Sequence, residues 1–159
     1  MVNFDMNITS LKFQRFLAML YAGASLGIVY FWWRFFQGEL FIIEDIRTLI
    51  PNFQGYYDWE KSFVVPDVLL AITMMCSAIL LWFDLCAERG RLLASACAGA
   101  CLFLGVLDLS YGFSSGLYQI DHPFAGDVLS SGLSITAVGV VGLLVVFVGL
   151  ERKALNDGS

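Results

Sequence analysis

The chain has 159 residues, 58% of them apolar and only 14% charged, whereas an average soluble domain is about 45–50% apolar and about 25% charged. That balance describes a single membrane-embedded domain. A formal charge of -5 argues against nucleic acid as a partner, and the lone histidine, His122, argues against a bis-histidine haem or a His-rich metal site, so no cofactor is implied.

About 20 apolar helical residues cross a bilayer core, and four stretches are long enough: 16–36, 63–83, 92–109 and 128–150. Backbone polar groups cannot be left open in hydrocarbon, so the expected fold is all-α, a four-helix antiparallel membrane bundle. The first span has the basic flank of a secretory signal, Lys12 and Arg15, and the small residues "AGAS" at 22–25. Only a short apolar run precedes them and "LGIVYFWW" follows, which predicts an uncleaved helix. Gly23 and Gly27 form a G-x-x-x-G pair on the stripe that leads to Arg34.

The loop 37–62 contains "ELFIIEDIRTLI" at 39–50, where Ile42, Ile43, Ile46, Leu49 and Ile50 share a helical face ended by Pro51. Two readings stand: a short amphipathic helix on the outer membrane surface, or a turn packed over the bundle. The second span opens with Pro66 and Asp67. A tight turn carrying Asp84, Glu88, Arg89 and Arg91 leads into the third span, which holds Cys97 and Cys101 and ends near Asp108. The cysteines, with Cys76 and Cys86, form no C-x-x-C pair and read as packing residues. The loop 110–127 is rich in Gly and Ser and reads as irregular; His122 in it reads as an ordinary loop histidine. The fourth span carries Ser131 and Ser134 and the series Gly132, Gly139, Gly142 and Gly149.

Basic residues flank the first span, fill the turn at 89–91 and follow the fourth span at Arg152 and Lys153. The positive-inside rule then puts both termini in the cytoplasm of a multi-pass cell-membrane protein. Trp32, Trp33, Tyr56, Tyr57, Trp59, Tyr111 and Tyr118 collect at the opposite boundary and suit an interfacial belt.

Asp67 lies 21 residues before Glu88 and Asp108 lies 20 after it. Across a tight turn, adjacent antiparallel helices bring both carboxylates to one height. Arg34 sits 19 residues beyond Arg15, about 28 Å up by the same rise, and Ser131 and Ser134 fall near this level. Each charge shares its stripe with small residues: Arg34 with Gly23 and Gly27, Asp67 with Ala71 and Ala78, Asp108 with Cys97, Cys101 and Ala94. Small residues mark packed faces in membranes, so Arg34, Asp67 and Asp108 are expected to converge inside the bundle as a ligand-binding layer with the two serines. Plainer roles exist. Asp67 after Pro66 suits a helix N-terminus, and Arg34 can snorkel to headgroups. Asp108 opposes the dipole at a helix C-terminus and needs a compensating partner.

"WEKSFVVPDVLLA" at 59–71 and "FLGVLDLSYGFSSGLY" at 103–118 resemble a loose group of small four-span bacterial integral membrane proteins of unassigned activity. That resemblance covers the second and third spans and implies a four-helix membrane bundle without a particular chemistry. Small multidrug exporters carry a glutamate in their first helix that is missing here, and the motifs around the paired aspartates of membrane signal peptidases are missing too.

Three functions compete. The first is a small-ligand binding or transport-related module built on the polar layer. The second is an accessory subunit, docking a membrane partner or another copy through its small-residue faces. The third, a lipid-modifying enzyme using the carboxylates for acid–base work, ranks last, because no nucleophile–base pair accompanies them.

Overall fold

A computed structural model describes residues 2–38, 48–50 and 52–157. The chain is an all-α four-helix bundle. Helix α1 (Val2–Phe36) leads to α2 (Phe53–Ser62) and α3 (Val64–Trp82), then α4 (Ala87–Ser114), a 3-10 turn (Leu117–Gln119) and α5 (Pro123–Asp157). Four stretches are long and apolar enough to cross a membrane: Leu11–Phe36, Phe53–Trp82, Glu88–Ser114 and Pro123–Val148. The segment 39–47, which holds most of the expected amphipathic helix, lies outside the described residues. Of its flank, Ile50 is buried against Trp32, Phe35 and Tyr56.

Two boundaries differ from the sequence expectation. The end of the loop 37–62 is helical. Asn52 caps α2, its side-chain oxygen accepting from the Gly55 N–H at 3.1 Å, and the chain runs through Phe63 directly into α3. Pro66 lacks the N–H that would bond to Ser62, so the irregularity at Phe63 marks the missing hydrogen bond, not the start of the span. The loop 110–127 is also shorter than its Gly and Ser content suggests. Helix α4 continues to Ser114 and α5 begins at Pro123, a favoured first-turn position for proline. His122 Nδ1 accepts from the Phe124 N–H at 3.2 Å, a local cap on α5.

α1 packs along α3, α3 along α4, and α4 most extensively along α5; α1 and α5 touch lightly. The α3–α4 turn spans 83–86, with Asp84 and Cys86 both at φ 54°. Ser77, fully buried, ties its base by donating to the Gly90 carbonyl at 2.9 Å. Arg15 lies over the Trp82 ring, 5.8 Å from its centroid, so the start of the first span adjoins this turn. We call this the turn end and the opposite one the loop end.

The core is built from small and aromatic residues. Tyr21 reaches from α1 to donate to the Ala94 carbonyl at 2.7 Å, with Met74, Leu81 and Cys97 buried around it. Cys97 and Cys101 are thus core residues, while Cys76 and Cys86 are exposed. Gly139 and Gly142 of α5 are used within the chain. A Cβ on Gly139 would stand 2.7 Å from the Leu102 amide nitrogen and 2.8 Å from the Ala98 carbonyl oxygen, and one on Gly142 would strike the Tyr21 hydroxyl. Close backbone approach through glycine is what lets α4 and α5 pack so tightly. A second cluster, including Trp32, Phe35, Tyr56 and Leu117, closes the loop end.

Candidate functional site

The loop end gathers carboxylates from two continuous helical stretches. On α3, Asp67 is held from α1: the Trp32 indole N–H donates to Asp67 Oδ2 at 3.0 Å. Asp108 on α4 lies within electrostatic reach of Asp67. A third carboxylate, Glu60 on α2, feels both aspartates and is the hydrogen-bond partner of the Tyr56 hydroxyl. All three are partly buried.

Aromatic rings wall the cluster. Tyr111 stacks on Trp59 with centroids 4.5 Å apart and planes at 8°, and on Tyr56 at 6.2 Å and 25°. Phe124 meets Tyr56 edge-on at 6.1 Å. Tyr118 folds back from the loop, its hydroxyl donating to the Asp108 backbone carbonyl at 3.4 Å. Gly112 makes room for it, because a Cβ there would collide with the Tyr118 ring. Burial raises the Tyr118 phenol above its ordinary value, and the Asp108 charge adds to the rise.

Asp67 and Asp108 come together, each on the small-residue face foreseen: Ala71, Ala78, Ala94, Cys97 and Cys101 are all buried. Arg34 takes another direction. Its guanidinium lies 5.9 Å from the Tyr30 ring centroid. Gly23 and Gly27, the markers of its stripe, have nothing within 4 Å of a Cβ position. The packed face of α1 is instead Leu17, Ala18, Tyr21, Ser25, Trp32 and Phe35. Ser131 and Ser134 stand at the foreseen height but are exposed, and Ser134 donates to its own helix at the Ser130 carbonyl, 2.7 Å away. Between them, Gly132 faces the cluster; a Cβ there would stand 3.5 Å from the Asp108 Cβ.

Two residues of the site escaped the sequence reading. Trp32, assigned to the interfacial belt, is 4% exposed, whereas its neighbour Trp33 is 55% exposed. Glu60 was counted in a loop. Its signal was the spacing of seven residues to Asp67, two helical turns on one face once α2 and α3 are continuous. Among the described residues no group of three or more His, Cys, Asp or Glu side chains is arranged to hold a metal ion. In comparisons with known proteins, the chain matches no family model, no curated protein and no solved structure.

Proposed function

We propose that this membrane protein binds a positively charged group, a proton or an organic ammonium, at the carboxylate cluster of its loop end, as a small-ligand binding or transport-related module. One observation carries the reading: Asp67, held by the Trp32 indole N–H at 3.0 Å, shares the loop end with Asp108 and Glu60, and all three are partly buried. Partly buried carboxylates of like charge favour a compensating proton or cation. The rings of Tyr56, Tyr111 and Trp59, stacked on one another, line this end with apolar surface that suits the carbon of an organic ammonium better than a hydrated inorganic ion. Polar groups at membrane depth are costly, and functional sites are where they are kept. Arg34 shares the open stripe of Gly23 and Gly27 and takes no part in the cluster in this reading, and Ser131 and Ser134 stay at the lipid boundary. The positive flanks assign both termini to the cytoplasm and the cluster to the far side of a cell membrane, as expected for the small bacterial four-span proteins the sequence resembles.

Carbodiimide labelling of the purified chain in micelles tests this, read by peptide mass spectrometry at Asp67 and Asp108. Methylammonium is expected to protect both residues at concentrations where sodium of equal ionic strength does not, and Asp67→Asn to weaken the protection of Asp108. Labelling indifferent to methylammonium would refute the reading.

A second reading is favoured by one surface. The face of α1 around Gly23 and Gly27 is open, as a docking face for another membrane helix is. Gly132 and Gly139 of α5, by contrast, face α4, and Gly142 faces Tyr21 and Ala98. A shift to dimer or complex size that Gly27→Ile abolishes would support an accessory role; an unchanged size would oppose it.

A further inference from the structure

Between α4 and α5 the chain crosses the loop end as a short strap, residues 115–122, and one of its side chains is turned inward. Leu117 is 2% exposed, while Ser115, Gln119 and Asp121 around it are exposed. It belongs to the apolar cluster of Trp32, Phe35, Ile50 and Tyr56. Two members of that cluster hold carboxylates: Trp32 donates to Asp67, and Tyr56 is bonded to Glu60. Tyr118, the next residue, covers Asp108. Its hydroxyl donates to the Asp108 carbonyl at 3.4 Å, and its ring fills the space that a Cβ on Gly112 would take. Leu117 and Tyr118 thus stand between the carboxylates and the aqueous side of the loop end.

The strap is fastened lightly. Its backbone hydrogen bonds are internal: the Gln119 N–H donates to the Gly116 carbonyl at 3.0 Å, that of Ile120 to Leu117 at 3.3 Å and that of His122 to Ile120 at 2.9 Å. The ties to the body of the bundle are the long Tyr118 bond and the apolar seat of Leu117. Gly116 joins the strap to α4 at φ 74°, a conformation that glycine holds without strain. The segment can therefore turn as a unit and keep its own hydrogen bonds, at the cost of withdrawing one leucine. Few buried contacts are what mark a locally opening segment. We propose that the strap is a gate on the aqueous side of the carboxylate cluster, with Leu117 as its plug, Tyr118 as its latch and Gly116 as its hinge. A cation reaches Asp67 and Asp108 when Leu117 leaves its seat and Tyr118 swings away with it. This deepens the cation-binding reading and rests on it for what passes the gate.

The test uses the full chain in micelles, with the exposed thiols removed by Cys76→Ser and Cys86→Ser. Leu117→Cys is expected to react with a water-soluble maleimide at a rate unchanged by denaturing detergent well below the unfolding midpoint, as local opening requires. Labelling of Asp108 by a water-soluble carbodiimide is expected to rise about thirtyfold or more in Leu117→Ala, from the loss of the buried side chain. Gly116→Ala separates the hinge from the plug: a Cβ there meets nothing within 4 Å, so only backbone strain acts. It is expected to raise the labelling about five- to thirtyfold, the cost of a left-handed residue that carries a side chain. A Leu117→Cys thiol that reacts only as the protein unfolds overturns the proposal. So does a rise in Leu117→Ala without one in Gly116→Ala, which makes Leu117 a fixed cover. If methylammonium protects Asp67 and Asp108 but the Leu117→Cys thiol stays closed, the gate fails alone. If that thiol opens and methylammonium protects neither carboxylate, the gate stands and the cation-binding reading falls.

Discussion

Replacing Trp32 by Phe removes one specific interaction and leaves most of the ring. The indole N–H lost is the 3.0 Å donor to Asp67 Oδ2, and Trp32 is only 4% exposed, so water cannot replace it easily. Hydrogen bonds to charged groups contribute about 1.5–3 kcal/mol in water-soluble proteins. Interhelical hydrogen bonds in a membrane protein average about 0.6 and reach about 1.7 kcal/mol, because the unfolded chain in lipid also finds partners. The charged acceptor and the buried donor place this pair at the upper end of the membrane range, about 1.5 kcal/mol, or roughly tenfold in an equilibrium constant. Trp32→Phe also loses packing volume, so the single variant reads more than the hydrogen bond. A double-mutant cycle with Asp67→Ala isolates the coupling. Reversible unfolding in mixed micelles, titrated with denaturing detergent, measures all four proteins. A coupling below about 0.3–0.5 kcal/mol, the range within which independent sites add, would refute the account of Trp32 as the holder of Asp67.

Glycine substitutions should separate the two packed faces from the open one. Gly139→Ala is expected to cost about 1–3 kcal/mol by forcing α4 and α5 apart, while Gly27→Ala is neutral or stabilising by up to about 1 kcal/mol through helix propensity; the same micelle titration reads both. Tyr21→Phe is expected to lose about 1 kcal/mol with the Ala94 hydrogen bond, checked by thermal unfolding. Gly112→Ala should push Tyr118 off Asp108, raising its labelling by a water-soluble carbodiimide; unchanged labelling would mean that Tyr118 does not cover it. Tyr118 should ionise above the ordinary tyrosine value of 10.0, and Asp108→Asn should bring it back toward that value, as followed by NMR of ring-labelled tyrosine. Because the folded value is raised, the associated stability is present below the unfolded value and is lost as pH rises through the folded one.

The faces of the helices show where reading the sequence worked and where it failed. Asp67 and Asp108 were found together because a tight turn sets their relative height and because Ala71, Ala78, Cys97 and Cys101 mark packed stripes. The same reasoning put Arg34 on a packed stripe, but the Gly23 and Gly27 positions that mark that stripe are open. In α1 the glycines face outward and the bulky Tyr21 and Trp32 face inward, since each has a polar atom to satisfy, at the Ala94 carbonyl and at Asp67. The serines of α5 were right in height and wrong in face, because one residue of helical rotation separates Ser131 from the buried Gly132.

Apolar length and the ban on open backbone groups in hydrocarbon were enough to determine four membrane helices and their order, since a bilayer admits few alternatives. Which side of each helix turns inward was decided only in three dimensions. Lipid and protein interior are almost equally apolar, so hydrophobicity does not orient a membrane helix. Hydrogen-bond partners and close backbone contacts do, and those belong to pairs of helices: Trp32 with Asp67, Tyr21 with Ala94, and Gly139 with Leu102.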